Sequence, residues 1–206
     1  MKKFELTTEF ITNFLGTKLF RIKALVEFGK VEKGELGGFV EKEENLDHDG
    51  DAWVSGDAMV YGNARVSGNA EVYGDAEVYG NAEVYGNARV YGDAMVYGNA
   101  RVSGNARVSG DAWVSGDAWV SGDAWVSGDQ MYAAVKGFGS EYRNTTFFIT
   151  KDGNVCVNCG CFSGTLEQFR EKVEETHKDT KYAKEYLMIA DLMEMHFKEE
   201  LEKIKK

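Results

Sequence analysis

The chain has 206 residues, a formal net charge of −10, no proline, 24 glycines and three cysteines. That length fits one domain with small caps, and three clustered cysteines, Cys156, Cys159 and Cys161, are no disulfide framework. Four arginines against ten acids over residues 51–128 leave no phosphate-neutralising stripe, which argues against conventional nucleic-acid binding, and the lack of a leader-like or bilayer-length apolar run points to a reducing cytoplasm without membrane attachment.

Residues 1–44 read as an N-terminal β cap. Phe4–Ile11 and Lys18–Leu25 are strand-like on either side of Thr12–Thr17, a hairpin. Val40 and Leu46 lie six apart. The segment Asn45–Gly50 thus keeps the phase of the six-residue repeat that begins at Asp51, with Leu46 in its small-residue slot.

From Asp51 to Gly128 the unit Asp/Asn-Ala-x-Val-Tyr/Ser-Gly runs thirteen times without insertion. Ala and Val are two apart, so in an extended chain they share one face, and the variable and Tyr/Ser positions share the other. The invariant small apolar pair faces inward. Gly and Asp/Asn tolerate positive φ and predict the corner. No unit can bury its own Val, so stacking must, and both ends of the stack then need caps over open strand edges.

A six-residue side with a corner fits a triangular coil of eighteen residues. The phase Val-x-x-x-Ala-x is similar to the hexapeptide motif of left-handed β-helices, and that resemblance, not the spacing, implies the left hand. The expected fold is mainly β: a left-handed parallel β-helix over 45–135 between an N-terminal β cap and a C-terminal α/β cap over 136–206.

In that C-terminal segment, Arg143–Thr150 and Asn154–Phe162 flank Lys151-Asp152-Gly153, a second hairpin. Thr165 with Gln168 is a capping box for a helix to about His177. A second helix runs from about Thr180 to the C-terminus. Its stripe Tyr182, Tyr186, Ile189, Met193, Phe197, Leu201 and Ile204 predicts packing on the cap.

Gly34–Glu41, Asn45–Trp53 and Cys159–Leu166 together resemble a group of phage and prophage hexapeptide-repeat proteins, some described as polymer-forming and cytoskeletal-like. The resemblance implies a viral or prophage accessory gene in the host cytoplasm and carries no catalytic residue. Prisms of this class commonly associate in threes, which implies a homotrimer.

Residues eighteen apart stack on one side. Side one reads Trp53, Glu71, Arg89, Arg107, Trp125, and side three reads Arg65, Glu83, Arg101, Trp119, a solvated ladder. Side two is the most apolar: Met59, Tyr61, Tyr79, Met95, Tyr97 and Trp113 predict an interface, with a tyrosine ladder that only stiffens the sheet as the rival reading. Trp113, Trp119 and Trp125 mark the last coil and predict a cover by the C-terminal segment. One corner column, Asp57, Asp75, Asp93 and Asp111, is wholly acidic and is a candidate strip for a hard cation, against plain use of a turn residue. Cys156, Cys159 and Cys161 are a weak zinc candidate, against ordinary reduced thiols. His48, His177 and His196 all lie outside the repeat, where a general base for acyl transfer has no obvious acceptor.

These features favour a non-enzymatic, cofactor-free scaffold that self-associates and binds a host or viral partner. The rivals are sequestration of a small nucleotide-like ligand between subunits, an acyltransferase, and mimicry of nucleic acid by the acidic prism.

Overall fold

The computed structural model describes residues 2–204. Each repeat contributes one short strand, from β4 (Trp53–Val54) to β16 (Trp125–Val126). They stack in parallel as three sheets, in which paired strands are three places apart in the chain. Arg89 lies opposite Glu71 and Arg107, for example, so the coil is eighteen residues. The molecule is therefore a three-sided parallel β-solenoid. Every Val and Ala of the repeat is at most 1% exposed, as the face assignment requires.

The corners differ from expectation in one respect. Glycine alone takes positive φ, while no Asn or Asp among the described residues does. At Gly74, φ is +76° and an added Cβ would meet the amide nitrogen of Gly92 at 3.0 Å, so close coil stacking also excludes a side chain. Asn serves the corner with its amide instead. Asn63, Asn81, Asn99 and Asp117 form one donor-to-acceptor column with spacings of 3.2, 3.0 and 2.9 Å. Asn69, Asn87, Asn105 and Asp123 form a second, at 3.0, 3.2 and 3.1 Å. These exposed bonds lock neighbouring coils in register.

The expected N-terminal hairpin is present as β1 (Phe4–Thr12) and β2 (Lys18–Ala24). It continues through β3 (Leu36–Val40), which pairs antiparallel with β2 and parallel with β5 (Met59–Val60). Side two is thus one seven-stranded sheet whose first three strands come from the cap. The phase assigned to Leu46 needs correction. It bridges to Val66, and Val40 pairs with Val60; both partners are twenty residues away, so both residues fill Val positions. Two surplus residues are absorbed in the wider corner before Trp53. There the buried Lys3 donates from Nζ to the carbonyls of Gly50 and Ala52 at 3.2 and 2.9 Å. Burial holds its ammonium below the ordinary lysine value, against the pull of Asp47, Asp51 and Asp49.

The C-terminal hairpin is part of a larger sheet. β17 (Tyr132–Val135), β18 (Thr145–Ile149), β19 (Val155–Cys159) and β20 (Phe162–Thr165) pair antiparallel in sequence order. Tyr132–Val135 pairs with β18, at the C-terminal edge of the segment expected to be solenoid. All of β18 is buried. Thr146 turns to the solenoid, accepting from Trp119 N–H at 2.9 Å, and Phe147 meets Phe169 edge-on. Thr165 and Gln168 make the expected reciprocal capping box of α1 (Leu166–His177). α2 (Lys181–Ile204) buries Tyr186, Ile189, Met193 and Phe197 of the predicted stripe; residues 205 and 206 lie outside the described residues.

Candidate functional site

The solenoid presents three flat ladders, and the caps decide how much of each stays open. On side two, Tyr61, Tyr79 and Tyr97 stack with ring centroids 5.0 Å apart and planes within 3°. Strand spacing is close to the thickness needed for offset aromatic stacking, so the ladder follows from the eighteen-residue period. The lower end of this column is closed. Leu19 and Phe39 of the cap pack on Tyr61, which is 4% exposed, and Met59 joins the same cluster. The Tyr61 hydroxyl donates to Glu77 Oε2 at 2.8 Å. Burial first, and this bond to a carboxylate second, push the phenol up.

The six residues assigned to a side-two interface are therefore split. Tyr61 is covered by the chain's own N-terminal cap, because β3 extends the sheet beneath it. Met59, Tyr79, Met95 and Tyr97 are half-buried, and Trp113 is 49% exposed.

The C-terminal cap closes the end of the solenoid but does not cover its tryptophans evenly. Side chains of the cap bind the open backbone edge: Asp129 accepts from Trp113 N–H at 2.8 Å, and Asn158 donates to Trp119 O at 2.7 Å. Trp119 is half-buried and donates from Nε1 to Ser103 at 3.3 Å. Trp113 and Trp125 stay exposed. The expectation that the C-terminal segment covers all three is corrected to one, since the cap sits on the end of the coil and the side chains radiate from its sides.

Side one holds a feature that the ladder alone does not reveal. Glu71 pairs with Arg89 at 3.0 Å. Arg107 stands between Arg89 and Trp125 in strict parallel register, so two guanidiniums project from strands about 4.8 Å apart. The turn after β18 brings Lys151 to the same place, its N–H donating to Asp123 O at 3.4 Å. Arg89, Arg107, Lys151 and the exposed Trp125 line one groove. Lys151 could not be placed here from sequence, because the docking angle of the cap sheet is set by tertiary packing. On side three Glu83 pairs with Arg101 at 3.3 Å.

Asp57, Asp75, Asp93 and Asp111 stack as an exposed column, with Arg21 reaching Asp57 at 3.7 Å. Cys156 and Cys159 are half-buried and Cys161 is exposed in the turn between β19 and β20. Cys159 Sγ accepts from Thr145 Oγ1 at 3.1 Å, and burial pushes the Cys156 thiol up. No group of three His, Cys, Asp or Glu side chains is placed to hold a metal ion among the described residues. His48 stacks on Phe4 with Nδ1 accepting Lys3 N–H, His177 tilts against Tyr186, and His196 lies on α2.

A family model described as the YdcK beta solenoid repeat matches the chain at residues 52–68, 58–74, 82–98, 88–102 and 100–116. All five matches fall within the thirteen repeats, and with the three-sided coil they support a repeat β-helix family. No curated protein matches the chain. No described helix is long and apolar enough to cross a membrane.

Proposed function

We propose that this chain is a non-enzymatic scaffold of phage or prophage origin, acting in the host cytoplasm, that assembles as a trimer through the upper half of side two and presents its remaining faces to a host or viral partner. The observation that carries the reading is Trp113. It is half exposed beside the half-buried Met95 and Tyr97, on a flat sheet that no loop interrupts. Large apolar side chains gathered on a rigid face of an otherwise acidic solenoid are better accounted for by burial against another surface than by solvent. The test is Trp113→Glu in the full chain. The substitution is at the surface and should leave the circular dichroism spectrum unchanged while reducing the molar mass in solution to a third. An unchanged mass would remove side two as the interface.

The side-one groove favours a second reading, sequestration of a small anionic ligand that carries a flat ring. Trp125 offers a stacking face, and Arg107 and Lys151 offer charge-assisted donors to a phosphate or carboxylate. A ligand with nucleotide-like ultraviolet absorbance in purified protein, lost in Arg107→Ala, would support this reading over the first.

A further inference from the structure

The second helix carries an apolar stripe besides the one it buries. Met188, Leu192 and Met195 are 71%, 50% and 68% exposed. Their spacing of four and then three places them on one face, roughly opposite Ile189, Met193 and Phe197, which pack inward. Single exposed apolar residues are ordinary, but three large ones at seam spacing on a 24-residue helix form the pattern by which helices pair.

Among the charges beside this stripe, those farthest from its centre differ in sign at the two ends, and nearer in Glu185 and Lys198 have the reverse order. Lys181 and Lys184 lie toward its N-terminal end, and Glu199 and Glu202 toward its C-terminal end. All four are exposed. The stripe has its centre near Leu192, so a second α2 laid antiparallel across it sets Met188 against Met195 of the other copy, and Met195 against Met188. The same two-fold axis sets Lys181 and Lys184 against Glu199 and Glu202 of the other copy, twice over. A parallel pairing would set lysine on lysine and glutamate on glutamate, which is unfavourable at helix-pair distances.

We infer that α2 is a docking surface for a second copy of this chain, joined antiparallel through Met188, Leu192 and Met195. The apolar contact supplies most of the attraction, and the lysine–glutamate pairs choose the direction. The contact lies on the C-terminal cap and is independent of the side-two reading. It joins two solenoids at their capped ends, whether each is single or trimeric.

The test is light scattering of the full chain at micromolar concentration. Leu192→Glu should halve the molar mass without changing the circular dichroism, since Leu192 is exposed. The direction is tested by charge exchange. Lys181→Glu with Lys184→Glu should weaken the contact about tenfold or more, as should Glu199→Lys with Glu202→Lys, and all four exchanges together should restore the wild-type mass. Rescue is expected only of the antiparallel arrangement. An unchanged mass in Leu192→Glu would overturn the docking surface, and a halved mass without rescue by the four exchanges would overturn its antiparallel register. Trp113→Glu reports on side two alone, so the failure of one contact is distinguishable from the failure of the other.

Discussion

Asn45 and Asn158 do equivalent work at opposite ends of the solenoid. Asn45 Nδ2 donates to Ala64 O at 2.8 Å and to Gly62 O at 3.2 Å, and Asn158 Nδ2 donates to Trp119 O at 2.7 Å and to Ser121 Oγ at 2.9 Å. Both are buried. A stacked coil ends in a row of open backbone groups, and at each end a cap asparagine satisfies part of that row without adding a further coil.

Removing either amide strands a carbonyl where water does not reach it easily. Asn45→Ala should therefore destabilise the chain by about 2–3 kcal/mol, and Asn158→Ala by a similar amount. An exposed ladder amide such as Asn87→Ala should cost about 1 kcal/mol or less. Urea denaturation midpoints check the ranking, and equal effects at Asn45 and Asn87 would contradict it.

The corner glycines should not be equivalent. Gly86 and Gly122 both take positive φ, but a Cβ at Gly86 would lie 3.1 Å from the Gly104 nitrogen, whereas at Gly122 it meets nothing within 4 Å. Gly122→Ala should cost about 1–2 kcal/mol, the left-handed backbone penalty alone. Gly86→Ala should cost more, because coil separation must also increase. Thermal melts of the two variants give the comparison.

Much of this was legible in the sequence. The hexad set the inward Ala and Val and the three columns, because a strict eighteen-residue period leaves no freedom in register. Thr165 and Gln168 marked the start of α1 through local chemistry alone. The irregular first coil was not legible: Leu46 kept the hexad phase in sequence while two surplus residues in the next corner shifted it to a Val position in space. Nor was the burial of Tyr61, which depends on Leu19 of the N-terminal hairpin and Phe39 of β3, residues far upstream that only tertiary folding brings onto it. The outer stripe of α2 is masked in the sequence by the stronger inner one, although Met188, Leu192 and Met195 carry the same four-and-three spacing.

The acidic corner offers a test of ladder chemistry. Replacing Asp75, Asp93 and Asp111 by Asn should remove like-charge repulsion and extend a neutral amide column. Stability should rise by roughly 1 kcal/mol or more, with less gain at high salt. If the column is a cation strip, millimolar calcium should raise the melting temperature of the wild type and not of the variant. An equal shift in both would leave the aspartates as turn residues only.

Alkaline pH should weaken the tyrosine ladders. Tyr61, Tyr73 and Tyr79 are all held above the ordinary phenol value, by burial first and then by Glu77 or a stacked neighbour. Above about pH 10 the unfolded chain loses phenol protons that the folded chain retains. The folded state then binds more protons, so stability is full below that pH and falls as it rises. Lys3, held low by burial, acts in the opposite direction, and the informative quantity is the difference between wild type and Tyr61→Phe. The variant should lose less stability between neutral and strongly alkaline pH. Identical losses would mean that Tyr61 titrates normally.

The central claim is self-association through a solenoid face. Sedimentation equilibrium of the wild-type chain over a range of micromolar concentrations tests it most directly. A molar mass that is a multiple of three chains is expected, and a molar mass of one chain throughout, or of two joined through α2 alone, would contradict the claim.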